Sequence, residues 1–250
     1  MATDLFEAPD YYNLDDLLSE EHIMVRDATR DWVKREVSPI IEEACQKAEF
    51  PKQLVPGLGE IGAFGPYIPV EYGGAGLDQI SYGLIMQEIE RGDSGVRSTA
   101  SVQSSLVMYP IWKYGNEAQR QKYLPKLATG EWMGSFGLTE PDAGSDPGSL
   151  KSVAKKVKGG YQITGSKTWI TNAPIADLLI IWAKDEEGKL RGFIVERQDK
   201  GLETPYLKGK FSLRASATGQ IFMDDLFVPN DRVLPEVDSF KGPFSCLNMA

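Results

Sequence analysis

GSFGLTEPDAGSD, Gly134 to Asp146, followed further on by KTWITN, Lys167 to Asn172, is the pair of stretches on which the reading of this chain turns. The first opens as a strand around Trp132, Met133, Ser135 and Phe136, then breaks into a turn built on Pro141 and Gly144. Proline presets φ, glycine admits positive φ, and short hydroxyls and acids bond back to nearby amides. Such a turn leaves several N–H groups facing one concavity, able to cradle a phosphate or another electron-rich group. Glu140, Asp142 and Asp146 oppose a phosphate, so the amides and the hydroxyls of Thr139 and Ser145 must do the holding. The second stretch sets an indole, Trp169, and a hydroxyl, Thr171, two apart on a β-type run, hence on one face. A flat aromatic beside hydroxyl donors suits a flat heteroaromatic ligand. The same residues also read as a decorated turn before a buried strand, with Trp169 a core aromatic.

Upstream, the texture is helical. Ser19 with Glu20 and Glu21 behind it reads as an N-cap with acids in the first turn. Val33, Val37, Ile40/Ile41, Ala44 and Ala48 then recur at helical spacing to about Lys47, with Pro39 expected to kink or restart the helix. Phe50-Pro51 ends that run, and a shorter helix is expected over 52–61. Gly62 to Gly76 is a Gly- and Pro-rich loop anchored by Phe64, Tyr67 and Tyr72. Asp78 caps a helix to about Arg91, with Ile80, Leu84, Ile85 and Ile89 placed inward. Gly92 and Gly95 interrupt it, and the next helix is expected from about Ser98 to Tyr109. Ser98, Ser101 and Ser104/Ser105 give that helix a hydroxyl face, suited to close helix approach or to a polar pocket. Asn116 starts a further helix that Gly130 closes.

Beyond Glu131 short β-rich runs alternate with Gly turns. Ser152–Val157 and Tyr161–Thr164 flank Gly159-Gly160, Leu178–Ala183 and Arg191–Val195 flank Glu187-Gly188, and Gly219 to Val228 is another strand. Many strands at short intervals predict a small sandwich or barrel. At Gly242-Pro243 a further helix begins, and no end signal follows it before Ala250. The fold class is therefore α+β: an all-α domain over 1–130, a β domain over 131–238, and the start of a further helical domain over 239–250.

Composition narrows function. Of 250 residues, 42% are hydrophobic and 25% charged, the balance of a globular protein with ample core. A net charge of −9 without a Lys/Arg cluster argues against nucleic acid and anionic membrane surfaces as partners. No apolar run is long enough to span a bilayer. The acidic opening, MATDLFEAPDYYNLDD, lacks a signal-peptide core and an Arg-rich amphipathic pattern. Cys45 and Cys246 do not suggest a disulfide framework, and a bacterial cytoplasm fits these features. The single histidine, His22, excludes a multi-histidine metal site and leaves acid–base chemistry to carboxylates, Lys or Tyr.

The two opening stretches, each ungapped, resemble the flavin-binding motifs of the acyl-CoA dehydrogenase family. Lys208 to Val228, KGKFSLRASATGQIFMDDLFV, is similar to that family's middle domain, and with Ser94 to Ser105, SGVRSTASVQSS, the likeness is to its glutaryl-CoA branch. The resemblance implies FAD as cofactor. Phe136, Gly137, Leu138 and Thr139 would run along the flavin ring, Gly144 and Ser145 meet the pyrophosphate, and Trp169, Ile170 and Thr171 cover the other side. Ser145 would also lie near the CoA chain. Arg97 and Ser98 would bind the distal carboxylate of glutaryl-CoA with Glu90 nearby, the alternative being an ion pair of Arg97 with Glu90 or Asp93 at a helix junction. Arg214 falls in an element that supports dimer and cofactor packing. Phe244, Leu247 and Asn248 match the start of a substrate-lining helix.

Further implications are oxidation at Cα–Cβ with decarboxylation to crotonyl-CoA, electron-transfer flavoprotein as acceptor, a homotetramer, and a mitochondrial matrix location for a eukaryotic member. The family's base is a glutamate in a C-terminal helical bundle, which would lie beyond Ala250, so no catalytic residue is assigned within this chain. A short-chain acyl-CoA dehydrogenase or oxidase, or a non-catalytic flavin- and acyl-CoA-binding fragment, are the competing readings.

Overall fold

The computed structural model describes residues 10–250; residues 1–9 of the acidic opening lie outside it. Ser19 caps helix α1 (Glu20–Trp32) through a capping box in which His22 takes the place usually held by Glu or Gln. The Ser19 hydroxyl accepts the His22 N–H, and His22 Nδ1 accepts the Ser19 N–H. The other ring nitrogen lies 2.9 Å from Asp78, which itself caps α4 (Gln79–Gly92) by accepting the Ser81 N–H at 2.8 Å. The Ser81 amide and His22 together hold the Asp78 carboxyl down at about 2. The one histidine is thus a joint between two helix N-termini.

Pro39 lacks an N–H, and the chain adapts one turn earlier. Val33–Val37 widens into a π turn, the Ser38 N–H reaching Val33 O at 3.0 Å, before α2 (Ile41–Lys47) restarts. Val33 and Val37 are fully buried, but Ala48 is an exposed left-handed C-cap at φ 55 rather than part of the inward face. The short α3 (Leu54–Glu60) follows. In α4, Ile85 and Ile89 face inward as expected, whereas Ile80 is 49% exposed because it sits in the first turn, ahead of the packed stretch.

The break at Gly92 is a single residue long. Asp93 accepts the Gly95 and Val96 N–H groups and starts α5 (Ser94–Ser101) four residues before Ser98. The helix then continues through a π segment, Val102–Met108, into α6 (Tyr109–Tyr114). Gly95 stays inside it because a Cβ there would lie 2.8 Å from the Ser216 backbone nitrogen, so glycine permits this helix to touch the β half. Asn116 caps α7 (Glu117–Ala128) with a second capping box, to Gln119.

The β half is one curled, mixed, seven-stranded sheet in the order β1-β4-β2-β3-β7-β6, with β5 on the far side of β4. Its strands are β1 (Gly134–Gly137), β2 (Val153–Val157), β3 (Gly160–Thr171), β4 (Leu178–Asp185), β5 (Leu190–Glu196), β6 (Leu202–Glu203) and β7 (Thr218–Pro229). Both expected hairpins form: β2 pairs antiparallel with β3, and β4 with β5. Strand β3 runs well past the expected Thr164 to Thr171, with register shifts at Ile163/Gly165 and Lys167/Ile170 that bend it. Strand β4 is buried from Leu178 to Ala183. Leu178, Ile180 and Trp182 join the helical core while Leu179, Ile181 and Ala183 fill the curl, which explains an apolar run without alternation.

Buried Gln103, on the π segment, sews the halves together. Its amide nitrogen donates to Leu127 O and Trp132 O at 2.8 Å, and its oxygen accepts the Gly134 N–H at 2.7 Å. Helix α8 (Lys241–Leu247) is packed through Gly242 on Trp182. After it the Ala250 N–H turns back to Leu247 O at 3.4 Å.

Candidate functional site

Where the end of β1 and the end of β3 meet the π segment, a cleft of about 220 Å³ opens. It is lined by Val102, Leu106, Phe136, Leu138, Thr139, Gly144, Pro147, Trp169, Ile170, Thr171 and Leu247. Stretches separated in sequence by β2 and most of β3 are thus brought to one site. The volume is below the ~300–1,000 Å³ of pockets that enclose a whole drug-sized molecule, so it suits one flat ring system with the remainder of a ligand outside.

Trp169 is not a core aromatic. It is 64% exposed and stands at φ 59, the left-handed region, inside the irregularity of β3. A bulky side chain in that region costs on the order of 1–3 kcal/mol, and such residues gather at ligand sites. Thr171 shares its face, and its hydroxyl lies 3.5 Å from that of Ser98 on α5.

The three acids of the turn are all turned to other work. Glu140 is buried and accepts from Lys167 Nζ at 2.8 Å, the Lys151 N–H at 2.6 Å and the Ser152 N–H at 3.0 Å. Burial alone would raise the Glu140 carboxyl, but the Lys167 charge and the Lys151 amide outweigh it and hold it below its ordinary value. Asp142 pairs with Lys151 at the surface, and Asp146 accepts the Gly148 N–H. None of the three lines the cleft, and among the described residues its walls carry hydroxyls and apolar groups and no carboxylate.

Other expected residues lie apart. Gly137 faces the sheet interior, where a Cβ would meet Ile181, Ile221 and the Lys167 stem. Ser145 is exposed and outside the cleft lining. On α8 only Leu247 reaches the cleft; Phe244 packs on Phe240, while Asn248, just after the helix, is exposed and outside the lining. Arg97 meets Glu90 through Nε at 2.7 Å, while Asp93 is occupied as the cap of α5. Glu90, also bonded by Ser94, is held below its ordinary value against the opposing effect of burial. Arg214 spans two segments, donating to Cys45 O and Gln46 O at the end of α2 and to Lys210 O.

Sequence reasoning misses Val102, Leu106 and Pro147 as lining, the Gln103 joint and the Lys167–Glu140 pair. A lysine and a glutamate inside otherwise apolar β-edge stretches are the available signal for the last. Among the described residues no cluster of His, Cys, Asp or Glu could hold a metal ion, and no helix is long and apolar enough to cross a membrane. Both cysteines are free thiols.

A helical half packed on a curled sheet thus leaves a hydroxyl- and indole-walled slot at the seam between them. Residues 19–131 match the acyl-CoA dehydrogenase N-terminal domain and residues 135–226 the acyl-CoA dehydrogenase middle domain. The chain belongs to the acyl-CoA dehydrogenase family. It is 38% identical over 237 residues to an acyl-CoA dehydrogenase of Bacillus subtilis, covering 93% of this chain and 62% of that protein. It is also 38% identical over 240 residues to a glutaryl-CoA dehydrogenase of Desulfococcus multivorans, covering 92% and 61%. The crystal structure of a Mycobacterium smegmatis glutaryl-CoA dehydrogenase in complex with FADH2 superposes with a TM-score of 0.93 at 37% identity, covering 95% of this chain and 61% of that one. The chain therefore spans about three fifths of the length of these relatives.

Proposed function

We propose that this chain forms the N-terminal and middle domains, divided near 130 and 238, of a FAD-dependent dehydrogenase acting on glutaryl-CoA. The observation that carries the reading is the cleft, where Thr139, Gly144, exposed Trp169 and Thr171 converge. Those residues fit an isoalloxazine ring: an indole for its face, hydroxyls for its polar edge, and open space at Gly144, where a methyl group would meet no atom within 4 Å. When bound, FAD supplies the hydride acceptor. The chain's own part is to orient the ring, exclude water from its face and place the acyl group beside it. Phe136, Leu138, Ile170 and Leu247 supply the apolar walls; Gly137 and Ser145 border the motif, Ser145 on the side we assign to the pyrophosphate and the CoA chain.

The substrate assignment rests on Arg97 and Ser98. Ser98 is in reach of Thr171, so this turn of α5 abuts the cleft, and Arg97 stands beside it with only Nε committed to Glu90 among the described residues. A guanidinium there meets a carboxylate far better than it meets a methyl end. Phe244 and Asn248 are assigned to the pantetheine side, and the glutamate base to a segment following Ala250. We assign decarboxylation to crotonyl-CoA, electron-transfer flavoprotein as acceptor, a homotetramer and a cytoplasmic location to the whole protein on the same reading.

A second reading, binding without turnover by this chain alone, is favoured by one observation: among the described residues no carboxylate lines the cleft to take the α-proton. One experiment addresses both. Purified chain loaded with FAD and freed of unbound flavin by gel filtration should elute yellow; bleaching on glutaryl-CoA marks turnover, and colour without bleaching marks the binding module. Protein that elutes colourless after incubation with excess FAD overturns the flavin assignment.

A further inference from the structure

Lys167 is fully buried, and among the described residues its ammonium bonds Leu138 O at 3.2 Å and Glu140 Oε1 at 2.8 Å. These two acceptors bracket Thr139. The carbonyl of Thr139 itself accepts the N–H of Thr168, the residue after Lys167, at 3.0 Å. Glu140 passes the restraint onward, gripping the amides of Lys151 and Ser152 and so closing the 140–152 loop that carries Gly144 and Pro147. The Lys167 stem lies against Gly137, where a Cβ would approach its Cγ to 3.3 Å. On the other side, Lys167 begins the irregularity of β3 in which Trp169 takes its left-handed backbone.

One buried ion pair is therefore fastened to both walls of the cleft: the Leu138–Glu140 edge on one side and the Lys167–Thr171 edge on the other. Burying two charges is expensive, and replacing such a pair by neutral groups of similar shape is often neutral or stabilising. Stability alone does not account for an ionic pair at this spot. We propose that Lys167 and Glu140 are positioning residues that set the separation of the two cleft walls, and with it the grip on the flavin ring. This rests on the flavin reading of the cleft for its ligand, though not for its geometry.

The test uses the 250-residue chain and the variants Lys167→Met, Glu140→Gln and the double variant. Each single variant strands one buried charged partner and is expected to lower the melting temperature. The double variant removes both charges and should recover most of that loss. Its FAD dissociation constant should nevertheless stay about tenfold or more above wild type, a difference of about 1.4 kcal/mol, and its bound flavin spectrum should differ in band position. Independently of flavin, hydrogen exchange at the Thr168 amide should speed up in the double variant. The part-buried Arg30–Glu88 pair, which is not part of the cleft lining, serves as control; neutralising both of its members should leave FAD affinity and Thr168 exchange unchanged. A double Lys167/Glu140 variant with wild-type exchange at Thr168 overturns the proposal, and so does one with wild-type FAD affinity and spectrum. If the wild-type chain takes up no FAD while Thr168 exchange responds as stated, the flavin reading falls and the wall-spacing role stands.

Discussion

Replacing Trp169 by glycine and by alanine separates a ligand-stacking indole from a structural one. The residue is 64% exposed, so about a third of its surface is in contact with protein. A well-buried aromatic removes roughly 150–250 Å² from water, so a third is about 50–80 Å². At about 25 cal/mol per Å², that contact contributes roughly 1–2 kcal/mol. Against this stands the backbone at φ 59, a region that costs an L residue about 1–2 kcal/mol and glycine almost nothing. Alanine loses the contact and keeps the strain; glycine loses the contact, sheds the strain and gives back roughly 0.5–1 kcal/mol in unfolded-chain entropy. Trp169→Gly should therefore be more stable than Trp169→Ala by about 0.5–1 kcal/mol, a melting difference of roughly 1–4 °C at this size. Both should bind FAD more weakly: by analogy with bases on aromatic side chains, stacking contributes about 1–3 kcal/mol, or roughly 5- to 150-fold in affinity. Calorimetry reads the first quantity and FAD fluorescence quenching the second. A fall in stability of more than about 4 kcal/mol, the loss typical of a truncated core aromatic, would refute the reasoning, as would unchanged FAD affinity.

Three further outcomes follow from particular groups. Arg97→Met breaks a half-exposed pair with Glu90 and should cost no more than about 1 kcal/mol of stability. It should raise the dissociation constant of glutaryl-CoA from the flavin-loaded chain roughly 10- to 150-fold, the equivalent of a charged hydrogen bond at about 1.5–3 kcal/mol. Titration calorimetry should show butyryl-CoA unaffected; equal losses remove the substrate assignment. Glu140 titrates below its unfolded value of 4.5, so its contribution is fully present above that pH and is lost as pH falls through the lower folded value. Urea unfolding between about pH 7 and 3 should show wild type losing its margin over Glu140→Gln below about pH 4.5; a constant margin counts against an ionised, paired Glu140. Burial pushes the Cys246 thiol up to about 12, so a disulfide reagent at about pH 8 should leave it unmodified in the folded chain and label it in guanidinium. Mass mapping after native labelling decides this, and modification of Cys246 at the rate of a free thiol contradicts its burial.

Much of the fold is legible locally because the signals that set it are local. Ser19, Asp78 and Asn116 announce their helices, since an N-cap acts on amides two or three residues away. The hairpins around Gly159-Gly160 and Glu187-Gly188 are announced by their turns. The start of α5 is misplaced from sequence because Gly95 looks like a breaker, and only its approach to the Ser216 backbone shows why glycine is needed inside that helix. Ile80 reads as inward because periodicity cannot say how far along a helix its neighbour extends.

The candidate site divides along the same line. The order of residues alone determined which types of group the chain has to offer: an indole, threonine hydroxyls, a turn rich in short polar residues, and one histidine too isolated for metal chemistry. Tertiary structure decided which of them share a space. It alone sent Glu140 inward to Lys167 and Asp142 outward to Lys151, turned Trp169 out of the core, placed Val102, Leu106 and Leu247 on the same walls, and left Ser145 outside. The reason is physical. A side chain's type follows from its covalent chemistry, but its direction follows from which neighbours satisfy its charge or cover its surface, and here those neighbours are supplied by distant segments of the chain.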